Sequence, residues 1–210
     1  MSYPARRIVL DGSRQSVVAS AFGKNADAGA RQKVIEFVVT AGGFSKDKTR
    51  SLNYSATLNQ PGKNVAGDIR IGPSAFEEDL NWLAGIVFHE LVHSPQYAYY
   101  FSYGVPQIDP DRSDTERRMI ALDEFEAYSW TLLRVTELSL SRDQVTEIRH
   151  RAGFALIDLD EDKAKSLAQK HKFGDARDVL IAQYQPPAAG TGSGSSAAVV
   201  TRPTSLSCYA

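Results

Sequence analysis

The sequence predicts an α+β fold in which a small N-terminal sheet is followed by a series of helices. Short β-rich runs separated by turn signals are concentrated between residues 7 and 71. Residues 80–92 (LNWLAGIVFHELV) are apolar almost all the way round a helix, which is typical of a helix buried inside a domain. Two N-capping signatures, at 113–116 and 141–144, predict further helices beyond it.

The elements before residue 80 follow from periodicity and turn residues. Residues 7–10 and 15–20 are predicted as short strands around an Asp-Gly turn. Residues 27–41 carry apolar side chains at helical spacing and stop at a Gly-Gly pair, which predicts a helix. Alternating apolar residues over 52–58 predict a half-buried strand, and a Pro-Gly turn then leads to a strand at 68–71.

The elements after residue 80 are helices and loops. The buried helix is expected to stop or kink at Pro95, so residues 94–112 are predicted as a loop. The capping signature at 113–116 begins a helix that runs to about residue 138, and Ser141 begins the next. One or two more helices are expected over about 160–184.

Composition indicates a single domain, 1–185, with a flexible Pro/Gly/Ser-rich tail over 186–210. A chain of 210 residues that is 42% hydrophobic can bury a sizeable core. The net charge of −1 gives no reason to expect a nucleic acid or an anionic membrane as partner. No apolar run is long enough to cross a membrane, so membrane insertion is not expected.

Cysteine content and the N-terminus bear on the cellular compartment. The single cysteine, Cys208, excludes an intramolecular disulfide and fits folding in a reducing cytoplasm. The apolar run near the N-terminus is too short for a secretory signal peptide. We therefore expect synthesis in the cytoplasm without a signal peptide, and any export to use a specialised secretion system.

The most informative motif is His89-Glu90-Leu-Val-His93. Helix positions i and i+4 share a face, so both imidazoles can reach one metal ion. Zinc lowers the pKa of a bound water toward about 7, and Glu90 can serve as the general base that accepts its proton. In the alternative, both histidines are core residues bonded to backbone carbonyls, but this alternative leaves Glu90 unexplained.

A catalytic zinc ion needs a third protein ligand. The extended motif HExxHxxGxxH fails here, because Gln96 and Tyr99 occupy the positions of the glycine and the third histidine. A carboxylate is therefore expected, and the candidates are Asp123, Glu124 and Glu126.

Helical geometry separates the three carboxylates. Glu126 lies in the middle of the apolar face of its predicted helix, so we expect it to be the third ligand. Glu124 points about 160° away and is expected to be solvated, whereas Asp123 lies about 60° from Glu126 and could orient a ligand histidine. The alternative for Glu126 is a buried salt bridge to an arginine.

An aromatic segment, rich in tyrosine, follows the motif between residues 97 and 103. Attack on a peptide creates an oxyanion, which a phenol or imidazole donor near the metal would stabilise. Tyr103 and His150 are the candidates for this role, and the alternative is that these rings serve packing alone.

These residues resemble the gluzincin-type HExxH metallopeptidases, in which a glutamate from a later helix completes the zinc site. The HELVH motif with Gln96, and Glu126-Ala-Tyr128 downstream, are similar to metallopeptidase domains of bacterial polymorphic toxins and secretion-system effectors. The resemblance covers about residues 66–135. It implies a zincin-like fold in which an edge strand, here within 68–76, precedes the active-site helix and binds the substrate as an added strand.

The function expected is that of a zinc-dependent endopeptidase with one Zn²⁺ per chain, bound by His89, His93 and Glu126. Its substrate would be a protein or peptide, and its setting a bacterial toxin or secreted effector with an immunity or delivery partner. Two alternatives stay open: a housekeeping or regulatory zinc peptidase, and a catalytically silent zincin-like binding module. Glu90 argues against the silent module, because binding alone has no need for a base.

Overall fold

The computed structural model describes residues 3–23, 25–105, 108–170 and 172–184. Within these ranges the chain forms a three-stranded sheet and eight α-helices, which confirms the α+β class. The tail predicted over 186–210, including Cys208, lies outside the described residues.

Two helices precede the sheet, and an aspartate caps each of them. The first, α1 (Gly12–Ala21), begins at Asp11, whose side chain accepts a hydrogen bond from the backbone N–H of Arg14. The second, α2 (Ala28–Gly42), is capped by Asp27 and ends at Gly43, which has a left-handed φ of 63°.

The helix predicted over 27–41 is confirmed by α2, but the two strands predicted before it are wrong. Residues 7–10 have no regular secondary structure, and residues 15–20 lie within α1. The strand prediction fails because the Asp11-Gly12 pair, which is typical of a turn between strands, instead begins a helix, with Asp11 as its N-cap.

The sheet has the strand order β1-β3-β2. β3 (Asp68–Ile71) is central, pairing in parallel with β1 (Ser51–Tyr54) and antiparallel with β2 (Gly62–Val65). Ala66 and Gly67, with φ of 53° and 91°, form the two-residue hairpin loop between β2 and β3. The strand predicted at 68–71 is therefore confirmed, and the strand predicted over 52–58 is confirmed only as far as Tyr54.

The expectation of an edge strand within 68–76 needs correction. β3 is the central strand, and Pro73–Phe76 form a 3₁₀ helix after it. The edge strand beside the HELVH helix is β2, which sequence analysis missed because Gly62-Lys-Asn-Val65 has no clear apolar alternation.

Six helices follow the sheet. They are α3 (Leu80–Ser102), α4 (Asp114–Leu133), α5 (Val135–Leu138), α6 (Arg142–Ala155), α7 (Glu161–Lys170) and α8 (Phe173–Gln183). The N-caps predicted at Ser113 and Ser141 are both present, and Ser141 and Gln144 form a complete capping box.

The loop predicted over 94–112 is wrong in its first part, because α3 continues through Pro95 to Ser102. A proline removes one helical N–H and crowds the preceding turn. The carbonyl that lacks a helical donor is that of Leu91, four residues before the proline. Nearby, the side chain of Asn64 on β2 donates to the Glu90 carbonyl at 2.7 Å and to Ser94 Oγ at 2.9 Å, so this part of α3 is bound to the sheet. Packing of α3 between the sheet and the later helices therefore holds the helix together past the proline.

Two hydrophobic clusters lie on either side of α3. The first joins α2, the sheet and the first turns of α3, and the second joins the end of α3 to α4, α7 and α8. Leu83, Val87 and Phe88 of α3 are at most 2% exposed, and burying each such side chain contributes about 1.5–3 kcal/mol. α3 is therefore a rigid central support. Within the described ranges, no helix has the length and apolar character needed to cross a bilayer.

Candidate metal centre

The two histidines of the motif converge on one point. His89 and His93 lie one turn apart on α3, and their Nε2 atoms are 3.1 Å apart. Their side chains are 11% and 8% exposed. The sequence prediction that both imidazoles face the same place is confirmed.

Glu124 of α4 supplies a third donor at the same point. One of its carboxylate oxygens lies 3.3 Å from His89 Nε2, and the other lies 3.4 Å from His93 Nε2. One donor atom from each of the three residues can be chosen so that all lie within 4.8 Å of one another, which is a group that could hold a metal ion. The Glu124 side chain is 32% exposed, so solvent can reach the cluster from the side on which Glu124 lies.

The structure places Glu124, and not the predicted third ligand Glu126, beside the two histidines. Glu126 is 5% exposed and accepts hydrogen bonds from Arg177 of α8, from Gln96 and from Trp130. It therefore forms the buried salt bridge that was the alternative for this residue.

The physical reason for this difference from the predicted placement is that α4 packs against α3, α6 and α8 at once. The most apolar face of α4 carries Glu126 and contacts Arg177 of α8. A different face of α4 carries Glu124 and contacts the two histidines. Ala121 and Thr131, which share the face of Glu124, are only 6% and 2% exposed. Small residues on both sides of Glu124 were the signal for a close helix contact there.

The donor set fits a metal ion. Gln96 Oε1 lies 2.7 Å from His93 Nδ1, and the Gln96 amide donates from Nε2 to Glu126 at 2.8 Å and to the Asp123 carbonyl at 3.2 Å. These bonds fix the amide orientation, so His93 carries a proton on Nδ1 and directs Nε2 at the cluster. Two imidazole nitrogens and one carboxylate oxygen are a ligand set typical of catalytic zinc.

His89 provides a second indication. Its Nδ1 is buried and has no hydrogen-bond partner among the described residues, so its Nε2 is the ring atom in contact with polar groups. Burial lowers the pKa of His89, which favours the neutral imidazole that metals bind.

The electrostatics of the cluster favour a cation. Burial acts to lower the pKa of His93, but the Glu124 carboxylate outweighs it and raises that pKa to about 10. Burial acts in turn to raise the pKa of Glu124, and His93 and His89 together bring it well below the usual range. A positive charge at the meeting point of the three side chains is thus favoured, whether a proton or a metal ion provides it.

Glu90 lies on the sheet side of α3, against the edge strand. A Cβ at Gly62 of β2 would lie 2.6 Å from Glu90 Oε1 and 2.7 Å from its Cγ, so glycine is required for this close approach. Asn64 of the same strand ties β2 to α3 through the Glu90 carbonyl and Ser94 Oγ. Burial raises the pKa of Glu90 to about 7, with His93 opposing the rise and Glu124 adding to it. The carboxyl is therefore poised to exchange a proton near neutral pH.

The two predicted oxyanion donors have other surroundings. Tyr103 is the C-cap of α3, is 57% exposed and packs its ring against Tyr99. His150 is exposed on α6, with its ring against Phe154. Neither of these contacts is with the cluster.

Tyr97, from the same aromatic segment as Tyr103, lies beside the cluster. Its ring centroid is 6.4 Å from that of His93, and the two side chains line a cavity of about 30 Å³ together with Glu124. Burial raises the pKa of Tyr97 above its usual value, so the phenol keeps its proton. Tyr97 follows His93 by one helical turn, and the expectation of a loop after Pro95 concealed this relation.

Comparison of the chain with models of protein families, with curated proteins and with solved structures gave no match. Function is therefore inferred from the chemistry of the cluster.

Proposed function

We propose that this protein is a zinc-dependent endopeptidase with a zincin-like arrangement, in which His89, His93 and Glu124 bind one zinc ion and Glu90 is the general base. The observation that carries the proposal is the convergence of two imidazole Nε2 atoms and one carboxylate on a single point. When bound there, zinc lowers the pKa of a coordinated water toward about 7 and polarises the scissile carbonyl.

Glu90 accepts a proton from the attacking water and returns it to the leaving amine. Burial raises the pKa of Glu90 to about 7, and a carboxyl whose pKa lies near the working pH can both accept a proton and release it. The Tyr97 phenol donates a hydrogen bond to the developing oxyanion, which its retained proton allows.

The substrate peptide pairs with β2. This strand is at the edge of the sheet as far as the structure describes it, and it directly contacts α3 at Glu90. An extended peptide that adds to β2 would use main-chain hydrogen bonds, which hold many sequences in one register. β2 thus takes the role expected of the segment 68–76.

The biological setting we propose is a bacterial toxin or secreted effector that acts on a protein target and has an immunity or delivery partner. A housekeeping or regulatory peptidase would use the same chemistry on another substrate. In a zincin-like binding module, Glu90 would have no task, and burying its carboxyl would be a cost without a benefit.

The test is to incubate the zinc-loaded protein with a cell lysate and map new protein N-termini, with and without a chelator. Glu90→Gln should retain zinc and generate no new termini, while Glu77→Gln, a change at an exposed carboxylate, should behave as wild type. Zinc binding without any cleavage would support the binding module instead. Equal cleavage by wild type and Glu90→Gln would refute the mechanism.

A further inference from the structure

A chain of buried polar contacts connects the metal centre to the C-terminal helix. Arg177 of α8 is 2% exposed and donates from Nε and Nη2 to Asp123 at 3.0 Å and 2.7 Å. Its Nη2 also donates to Glu126 Oε2. The same Glu126 oxygen accepts the 2.8 Å bond from Gln96, whose Oε1 meets His93 Nδ1.

Each contact in this chain restricts the next one. An amide has a donor end and an acceptor end, and Gln96 would present the wrong end to His93 if it turned over. Glu126 is held as an acceptor by Arg177, so it orients the NH₂ group of Gln96 toward itself. The oxygen of Gln96 then faces His93, and His93 must carry its proton on Nδ1 and leave Nε2 for the metal.

We propose that Arg177 and Gln96 are positioning residues of the metal centre, and that docking of α8 and metal binding are thermodynamically coupled through them. This inference rests on the metal site of the proposed function. It assigns to α8, which begins 80 residues after His93, a task that its own sequence does not reveal.

The coupling is reciprocal. If docked α8 raises the affinity of His93 for zinc, then zinc must stabilise docked α8 by the same factor. Hydrogen-bond partners of metal-bound histidines typically change metal affinity by about 10- to 100-fold, and a loss in this range is expected here.

The first experiment measures zinc affinity by competition with a chromophoric chelator, at a temperature where every variant is fully folded. Gln96→Met, a change that keeps the side-chain length, should weaken binding about 10- to 100-fold. Arg177→Lys keeps the charge but loses the planar group that donates from two nitrogens to Asp123 and Glu126, and it should weaken binding as well. In the double variant the Arg177→Lys effect should disappear, because Arg177 acts through Gln96.

Arg112→Lys is the matched control. Arg112 pairs with buried Glu116 of α4 and donates to the Tyr184 hydroxyl just after α8, and neither of these two partners belongs to the chain of contacts through Gln96. Its substitution should leave zinc affinity unchanged even if it lowers stability.

The second experiment needs no substitution at Arg177, so it applies even if Arg177→Lys fails to fold. Amide hydrogen exchange of α8 should slow when zinc is added to wild type, and should slow much less in Gln96→Met. Wild-type zinc affinity in Gln96→Met would overturn the inference and leave the proposed function intact. Additive effects of the two substitutions would also overturn it. Failure of wild type itself to bind zinc would remove the proposed function and this inference together.

Discussion

Substitution of Gly62 by alanine is the sharpest single test of the proposed base. The added methyl would lie 2.6 Å from Glu90 Oε1, 2.7 Å from Cγ and 2.9 Å from Cδ. Ordinary contacts between such atoms are about 3.5 Å or longer, so the Glu90 side chain must move by roughly 1 Å. A displacement of about 1 Å in a catalytic group can lower turnover about 100-fold.

The expected result for Gly62→Ala is therefore a large loss of kcat with little change in zinc content, since the three atoms nearest to the added methyl all belong to Glu90, which is the proposed base and not a proposed ligand. Steady-state cleavage of a quenched fluorescent peptide, with metal analysis of the same sample, measures both quantities. Overpacking should also lower the free energy of unfolding by about 1–3 kcal/mol. The matched control is Gly153→Ala in α6, where an added methyl meets no atom within 4 Å.

Two outcomes would refute this reasoning about Gly62. Wild-type turnover in Gly62→Ala would show that the position of Glu90 against β2 does not matter for catalysis. A further large loss when Gly62→Ala is added to Glu90→Gln would show that the methyl acts on something other than the base.

The remaining predictions concern the ligands, the oxyanion donor and pH. Glu124→Ala should lose most zinc affinity in equilibrium dialysis. Glu126→Gln should weaken zinc binding by no more than about 10- to 100-fold, because Glu126 orients Gln96 and Arg177 keeps its pair with Asp123; a larger loss of zinc affinity in Glu126→Gln than in Glu124→Ala would reverse the assignment. Tyr97→Phe should lower kcat about 100- to 1000-fold at unchanged zinc content, whereas Tyr103→Phe should leave kcat unchanged. Equal kcat values in the two variants would exclude Tyr97 as the donor to the oxyanion. The pKa of Glu90 is raised by burial from 4.5 to about 7 in the folded state, so its contribution to stability is full below pH 4.5 and is lost as pH rises through 7. Urea unfolding of the metal-free protein should therefore show that Glu90→Gln removes about 3 kcal/mol of this pH-dependent loss, and parallel stability curves for wild type and variant would contradict the burial of an ionisable Glu90.

Local signals predicted the parts of the fold that depend on near neighbours in sequence. The capping residues Ser113 and Ser141 fixed two helix starts, because their bonds reach only three residues ahead. The i, i+4 spacing fixed the two histidines for the same reason. Pro95 misled the prediction, because the packing around α3 at the proline comes from residues distant in sequence, such as Asn64 of β2, 31 positions earlier.

The third ligand could not be read from one helical face, because three neighbouring carboxylates on α4 have two different tasks. Asp123 and Glu126 share Arg177, and Glu124 faces the histidines. Arg177 carries one positive charge and pairs with both of the first two carboxylates, which holds them in contact with α8 and leaves Glu124 facing the histidines. In the proposed site, the carboxylate that remains for a metal ion thus depends on a residue of α8 that no local pattern connects to the motif. For a buried site with surplus carboxylates, the place of the counter-charge selects the ligand.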